Sequence, residues 1–98
     1  MTPHPWRRAW IERVPKPQRR AVFRLYAHAW KDARSAADVV DAVADSADEI
    51  IHSNPPCGIE QTWLAQIVRP LLETPEQRFE ATLYARLVYD YCEQEGWW

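Results

Sequence analysis

The eight prolines and only two glycines of this 98-residue chain constrain its fold more than any other feature. Proline fixes φ and has no backbone N–H, so it breaks helix interiors and is excluded from central strands, but it fits the first turn of a helix. Between these prolines, apolar residues recur every three or four positions, which is the spacing of one helix face. Sandwiches of β-strands also need more glycine for their tight turns. The pattern predicts an all-α fold.

The prolines and a few polar residues divide the chain into four or five helical segments. The predicted segments are residues 5–15, a segment from residue 17 whose apolar stripe reaches residue 33, and residues 36–52, 59–71 and 75–95. Pro70 interrupts the fourth segment and should kink or split it. A chain of this length forms one domain. We therefore expect a compact bundle of four to five helices, in a single domain covering residues 1–98.

Two segments have clear start signals. In "SAAD", Ser35 is a suitable N-cap and Asp38 follows three residues later. In "TPEQ", Thr74 can cap the last helix and Gln77 can complete a capping box. Gly96 then provides a C-terminal stop. These signals predict the limits of the third and fifth helices.

The last helix is unusual because its second half is apolar around most of its circumference. A helix that is apolar on all sides is normally buried. We expect either the central helix of the bundle or a helix with one flank against another protein chain. In the second case, the predicted interface consists of Tyr84, Val88 and Tyr91.

The two final residues, Trp97 and Trp98, follow the helix stop. Chain ends are usually frayed and polar, whereas tryptophan is enriched in the energetic hot spots of protein interfaces. The pair is expected either to fold back onto the core or to form an exposed anchor for a partner.

Charge is divided unevenly along the chain. Residues 1–34 carry nine arginines and lysines against two acids, a net charge of +7, whereas residues 35–98 carry three arginines against twelve acids, a net charge of −9. The two parts nearly cancel, leaving a formal net charge of −2. This asymmetry indicates that the charged parts attract opposite charges, either within the molecule or on a binding partner.

Four aspartates fall on the outer face of the third predicted helix, namely Asp38, Asp41, Asp45 and Asp48. Like charges at this spacing repel each other by a few tenths of a kcal/mol per pair. The aspartate stripe is expected to be either a solvated face or a docking surface for a basic partner. The basic face of the second helix should also point outward, so we do not expect the two faces to neutralise each other.

The basic N-terminal region suggests nucleic-acid binding as an alternative function. Arginines neutralise phosphates and tryptophans stack on unpaired bases. The candidate residues are Arg7, Arg8, Arg19, Arg20 and Arg24. However, Trp6 and Trp10 stand four apart, the spacing of core residues on one helix face. Nucleic-acid-binding domains are also usually basic overall, and this chain is not.

Chemical motifs are scarce. The sequence contains no close pair of metal ligands, no nucleophile elbow and no phosphate-binding loop. Cys57 precedes a predicted helix start, where a thiolate would be stabilised, and His52 could fold back towards it. Thiol- or metal-dependent activity at this loop is a second alternative. Otherwise we expect no enzymatic activity, no cofactor and no metal.

These features together predict a small non-enzymatic protein-interaction module, such as an adaptor, an inhibitor or a regulatory subunit. Its partner would be another protein or a second copy of itself, bound through the last helix, the tryptophan pair or the aspartate stripe. No segment approaches the roughly 20 apolar residues of a membrane helix, and the first ten residues lack the apolar core of a secretory signal. We therefore expect a cytoplasmic protein with reduced cysteines and no membrane partner.

Overall fold

The computed structural model describes residues 9–98, so residues 5–8 of the first predicted segment lie outside the described part. Within it, each segment predicted from the proline pattern contains an α-helix. This part of the chain contains no strand. Its five α-helices are α1 (Ala9–Glu12), α2 (Lys16–Ala29), α3 (Ala36–Ile51), α4 (Ile59–Val68) and α5 (Pro75–Glu95). Short 3₁₀ turns follow α2, at Trp30–Asp32, and α4, at Arg69–Leu72. The predicted all-α class is confirmed.

Side-chain caps set the starts of α3 and α5, as the sequence predicted. The Asp38 amide donates to Ser35 Oγ at 3.2 Å. The Gln77 amide donates to Thr74 Oγ1 at 3.1 Å, and the Thr74 amide donates to Gln77 Oε1 at 3.1 Å. Each bond satisfies a backbone donor that has no partner within its helix.

Pro70 ends α4 instead of kinking it. The α-helix stops at Val68, and the chain continues through the 3₁₀ turn Arg69–Leu72. Because Pro70 has no N–H to donate to the carbonyl four residues earlier, the α-helical ladder cannot continue through it. The turn places Leu72 in the core, fully buried.

The core surrounds α5. The rings of Trp10, Tyr26 and Tyr84 form a buried triad with centroids 5.4, 5.3 and 5.0 Å apart. Helix α5 packs against α1, α2, α3 and the 3₁₀ turn after α4. It is therefore the central helix, the first of the two alternatives that its apolar circumference allowed. The radius of gyration is 12.9 Å, close to the roughly 13 Å of a compact domain of about 100 residues.

This packing corrects the interface predicted on the last helix. Tyr84 and Val88 are both 0% exposed, so neither can contact a partner of the folded chain. The prediction was wrong at these two positions because Tyr84 and Val88 lie on the side of α5 that the other helices cover, whereas Phe79, Leu83 and Tyr89 of the same helix stay exposed. Tyr91 is half-buried, with its ring 5.5 Å from that of Phe23.

Two indole groups join distant parts of the chain. Trp10 Nε1–H donates to the Leu71 carbonyl at 3.1 Å, across 61 positions. Trp30 Nε1–H donates to the Ala85 carbonyl at 2.8 Å, across 55 positions. The first bond ties α1 to the turn after α4, and the second ties the end of α2 to α5.

Two apolar side chains in the first half of α4 face away from the core, whereas Ile67 further along the helix packs against it. Ile59 is 88% exposed and Trp63 is 52% exposed, although their spacing also fits a buried face. Ala65 and Val68 are the buried residues of α4. The small Ala65 side chain permits close approach to α3, and the larger side chains are left at the rim.

Candidate protein-binding site

The helix stop at Gly96 positions the last two tryptophans. Gly96 has φ 70°, the left-handed conformation that glycine adopts without strain. The Trp97 amide then donates to the Cys92 carbonyl at 2.9 Å, which turns the chain back along α5. The C-terminal residues are thus fixed by a defined helix cap.

Each of these tryptophans rests on an aromatic ring of the helical body. The Trp97 ring lies 5.2 Å from that of Phe23, and the Trp98 ring lies 5.5 Å from that of Tyr89. Even so, Trp97 is 50% exposed and Trp98 is 49% exposed. The pair has therefore folded back and also remains accessible, which combines the two alternatives expected from the sequence. We call Tyr89, Trp97 and Trp98 the C-terminal aromatic surface.

Tyr89 is held in place from two directions. Its ring lies 4.9 Å from that of Trp30, which is itself fixed by its bond to the Ala85 carbonyl. A hydrogen bond from the Tyr89 hydroxyl to Glu93 raises the pKa of that phenol. Tyr89, on which Trp98 rests, is therefore fixed in position within the C-terminal aromatic surface.

A cavity of about 420 Å³ adjoins this surface where α2, α3 and α5 meet. Its aromatic walls are Trp30 and Tyr89, and its charged groups are Arg34, Arg86 and Asp90. We call it the arginine cavity. Across residues 9–98, the ion pairs are Arg13–Glu80, Arg69–Asp48 and Arg78–Asp41, so neither arginine of the cavity is in one. The sequence could not predict this cavity, because nothing local indicates that residues 34 and 86 meet.

Most of the aspartate stripe is engaged within the molecule. Asp48 Oδ1 accepts a bond from Arg69 Nε at 2.6 Å, and this bond raises the pKa of the Arg69 guanidinium. Asp41 Oδ1 accepts a bond from Arg78 Nη2, also at 2.6 Å.

The two remaining aspartates differ. Asp38 Oδ2 accepts the amide of Arg34 at 3.1 Å, so it helps to fix the start of α3. Asp45 is exposed. At three of the four positions the carboxylate is thus bonded to a side chain or a backbone group of the same chain, and docking of a basic partner on the stripe stays a prediction.

The candidate nucleic-acid-binding arginines are not equivalent. Arg7 and Arg8 lie outside the described residues. Arg19 Nε donates to the Val14 carbonyl at 2.9 Å and its Nη2 donates to the Glu12 carbonyl at 3.1 Å. Arg19 thus caps the end of α1 with two of its donors, and its role as a phosphate ligand stays a prediction.

Arg20 and Arg24 are exposed on the outer face of α2, as predicted. Lys16, His28 and Lys31 are exposed as well, and no acidic residue occurs between positions 16 and 31. This face is uniformly basic and faces solvent.

The loop that carries His52 and Cys57 is the place of the predicted thiol- or metal-dependent activity. His52 Nδ1 lies 2.9 Å from the Asp48 carbonyl oxygen, and Cys57 is half-buried. Within residues 9–98, no three His, Cys, Asp or Glu side chains are grouped so that they could hold a metal ion. The other thiol, Cys92, is buried, and this burial raises its pKa to about 11.

Two further apolar openings were missed by the sequence reasoning. A cavity of about 680 Å³ between α1 and α5 includes the exposed side chains of Phe79 and Leu83, with Glu76 and Glu80 at its edge. A groove of about 400 Å³ between α2 and α4 includes Trp63 and Leu64. Neither has a basic side chain in its lining.

Comparison of the chain with protein-family models, with curated proteins and with solved structures finds no match. Over residues 9–98, every helix is too short or too polar to cross a bilayer.

Proposed function

We propose that this protein is a small non-enzymatic protein-binding module, acting as an adaptor, an inhibitor or a regulatory subunit, and that it binds through the C-terminal aromatic surface. The observation that carries the proposal is the state of Trp97 and Trp98. Each is half exposed, yet each is held against a ring of the helical body. Side chains that are already positioned lose little conformational entropy on binding.

The composition of this region supports the same function. Interface hot spots are enriched in Trp, Tyr and Arg. Here Tyr89 lines a cavity together with Arg34 and Arg86, and Trp98 packs against the Tyr89 ring. A large aromatic ring supplies much contact area with few rotatable bonds. The expected cytoplasmic location and the expected absence of catalysis stay predictions.

The proposal is tested with the variant Trp97→Ala/Trp98→Ala and the control Trp63→Ala. Trp63 is a suitable control because it is equally exposed but lies on α4. Partners would be captured by cross-linking in nuclease-treated extract, and a purified partner would be titrated by calorimetry. We expect the double variant to weaken binding by about 30-fold or more, the size of a hot-spot loss, and the control to bind as the wild type does.

Equal loss in the Trp63→Ala control, or no loss in the double variant, would show that the surface is assigned wrongly. Sedimentation of the purified chain tests self-association. If the wild type is dimeric and the double variant is monomeric, the partner is a second copy of this chain.

Nucleic-acid binding is the second candidate, and the uniformly basic outer face of α2 favours it. This face predicts binding of a labelled single-stranded oligonucleotide that falls steeply between about 50 mM and 200 mM salt. The variant Arg20→Glu/Arg24→Glu should abolish the binding. Absence of binding at the lower salt concentration would eliminate this candidate.

A further inference from the structure

The arginine cavity offers more hydrogen-bond donors than acceptors. Arg34 and Arg86 form no ion pair within the described residues, and Asp90 is the only carboxylate in the lining. Ser35 also lines the cavity. Its oxygen accepts the Asp38 amide, so its hydroxyl proton remains available to another acceptor.

These groups match a carboxylate. Guanidinium groups bind carboxylates through paired, charge-assisted hydrogen bonds that are roughly twice as strong as neutral ones. The rings of Trp30 and Tyr89 line the same cavity and offer apolar contact to the rest of a ligand that carries the carboxylate. The lining holds two guanidinium groups and one carboxylate, and the carboxylate of Asp38 beside it already accepts the Arg34 amide, so guanidinium N–H donors outnumber the carboxylate acceptors there.

The neighbouring charges restrict the kind of partner. Helix α5 carries Asp90, Glu93 and Glu95 in its last two turns, close to the C-terminal aromatic surface. A chain with a continuous run of negative charges would be repelled there. A peptide with one acidic side chain flanked by apolar ones would place its carboxylate between the arginines and its apolar side chains against the tryptophans.

We infer that the partner of this protein presents an acidic segment, in which one Asp or Glu side chain enters the arginine cavity while adjacent apolar side chains cover Trp98. The inference rests on the proposed function, since it specifies the partner of the same surface. Arg34 and Arg86 are then the residues that determine specificity, and Tyr89 joins the two parts of the site.

The experiment selects phage-displayed random dodecapeptides on the intact wild-type chain. We expect enrichment of Asp or Glu at one position next to apolar or aromatic residues. The best peptide would be synthesised with its acidic residue intact and with that residue replaced by its amide. Anisotropy titrations should show that the amide peptide binds about tenfold more weakly, because it loses the charge-assisted bonds.

The variant Arg34→Gln/Arg86→Gln should bind the acidic peptide about tenfold more weakly than the wild type does. It should bind the acidic peptide and the amide peptide equally well. This lack of additivity shows that the arginines and the carboxylate interact directly. The control Arg20→Gln/Arg24→Gln makes the same change of net charge outside the cavity and should leave the affinity unchanged.

A selection that enriches no acidic peptide overturns the inference, and so does equal weakening by the control. If selected peptides need Trp97 and Trp98 but are indifferent to Arg34→Gln/Arg86→Gln, the inference fails and the proposed function stands. If they are indifferent to both double variants, the C-terminal aromatic surface is not the binding site and the proposed function fails as well.

Discussion

The hydroxyl groups of Tyr26 and Tyr84 are buried beside the core triad, and neither has a hydrogen-bond partner among the described residues. Burial raises the pKa of both phenols, and the neighbouring Tyr84 adds to the increase at Tyr26. A buried hydroxyl without a partner keeps its full desolvation penalty. The rings stabilise the core, and the oxygen atoms oppose that stabilisation.

Replacing Tyr84 by Phe should therefore stabilise the protein. We expect the free energy of unfolding to rise by about 1 kcal/mol, because the substitution removes a desolvated polar atom and keeps the ring. Urea unfolding followed by far-UV circular dichroism measures the change. Tyr89→Phe serves as the control, since its hydroxyl is exposed and bonded to Glu93. A loss of stability in Tyr84→Phe would mean that its hydroxyl has a partner.

The same burial sets the response to alkaline pH. In the unfolded chain, Tyr84 loses its proton near its ordinary pKa of 10.0, whereas the folded chain retains it to higher pH. Above about pH 10 the unfolded state binds fewer protons than the folded state, so the free energy of unfolding falls as the pH rises. Below about pH 10 the contribution of Tyr84 is fully present. We expect this decline to be shallower in Tyr84→Phe than in the wild type.

At the level of the helices, α5 shows how far local signals determine structure. The capping box of Thr74 and Gln77 sets the start of α5, and the left-handed Gly96 sets its end. Both ends of α5 therefore follow from the sequence. The sequence does not determine which apolar residues of α5 become buried, because their burial depends on contacts from α1, α2 and α3. Tyr84 and Val88 were assigned to the surface for this reason.

Helix α4 illustrates a different limit. Its residues Ile59 and Trp63 have the four-residue spacing of a buried row yet are exposed, whereas Ala65 and Val68 are buried, with Leu64 and Ile67 partly buried beside them. Periodicity shows that a helix has an apolar face, whereas the choice of face also depends on how closely small side chains let two helices approach. The arginine cavity was beyond prediction for a related reason, since its two arginines come from segments 52 positions apart.

Gly96 should be sensitive to substitution because it connects α5 to the tryptophan pair. Gly96→Ala meets no atom within 4 Å, so its effect is conformational. We expect it to destabilise the protein by about 1 kcal/mol, the penalty of a left-handed alanine, and to weaken peptide binding. Gly96→Asn should be milder, because asparagine tolerates this conformation. Thermal unfolding and peptide titration measure the two effects, and unchanged binding in Gly96→Ala would show that the cap does not position the tryptophans.

Across the whole molecule, the charge asymmetry of the sequence is only partly relieved by folding. Arg69 and Arg78 belong to the acidic part of the chain, and they are the arginines that pair with the aspartate stripe. The outer face of α2 remains basic. The sequence predicted that the two faces would not neutralise each other, but it did not reveal which arginines would reach the stripe.

The fold also depends on its two long-range indole bonds. Within the described residues α1 covers Ala9–Glu12, and the buried Trp10 side chain anchors this part of the chain to the core. Trp10→Phe keeps an aromatic ring but leaves the Leu71 carbonyl without its partner. We expect a loss of about 1–3 kcal/mol in the free energy of unfolding, measured in urea. Trp63→Phe, at a half-exposed position, should change it by less than about 0.5 kcal/mol, and an equal effect of both changes would contradict the anchoring role.

These two bonds also allow the opening of the molecule to be followed by hydrogen–deuterium exchange of its indole N–H groups. In heavy water, an exposed indole exchanges its hydrogen for deuterium at once, whereas one bonded to a buried carbonyl must wait until the structure opens. The indole signals of Trp63, Trp97 and Trp98 should vanish first, and those of Trp10 and Trp30 should persist. The delay for Trp10 would time the release of α1 from the 3₁₀ turn, and the delay for Trp30 would time the separation of α2 from α5.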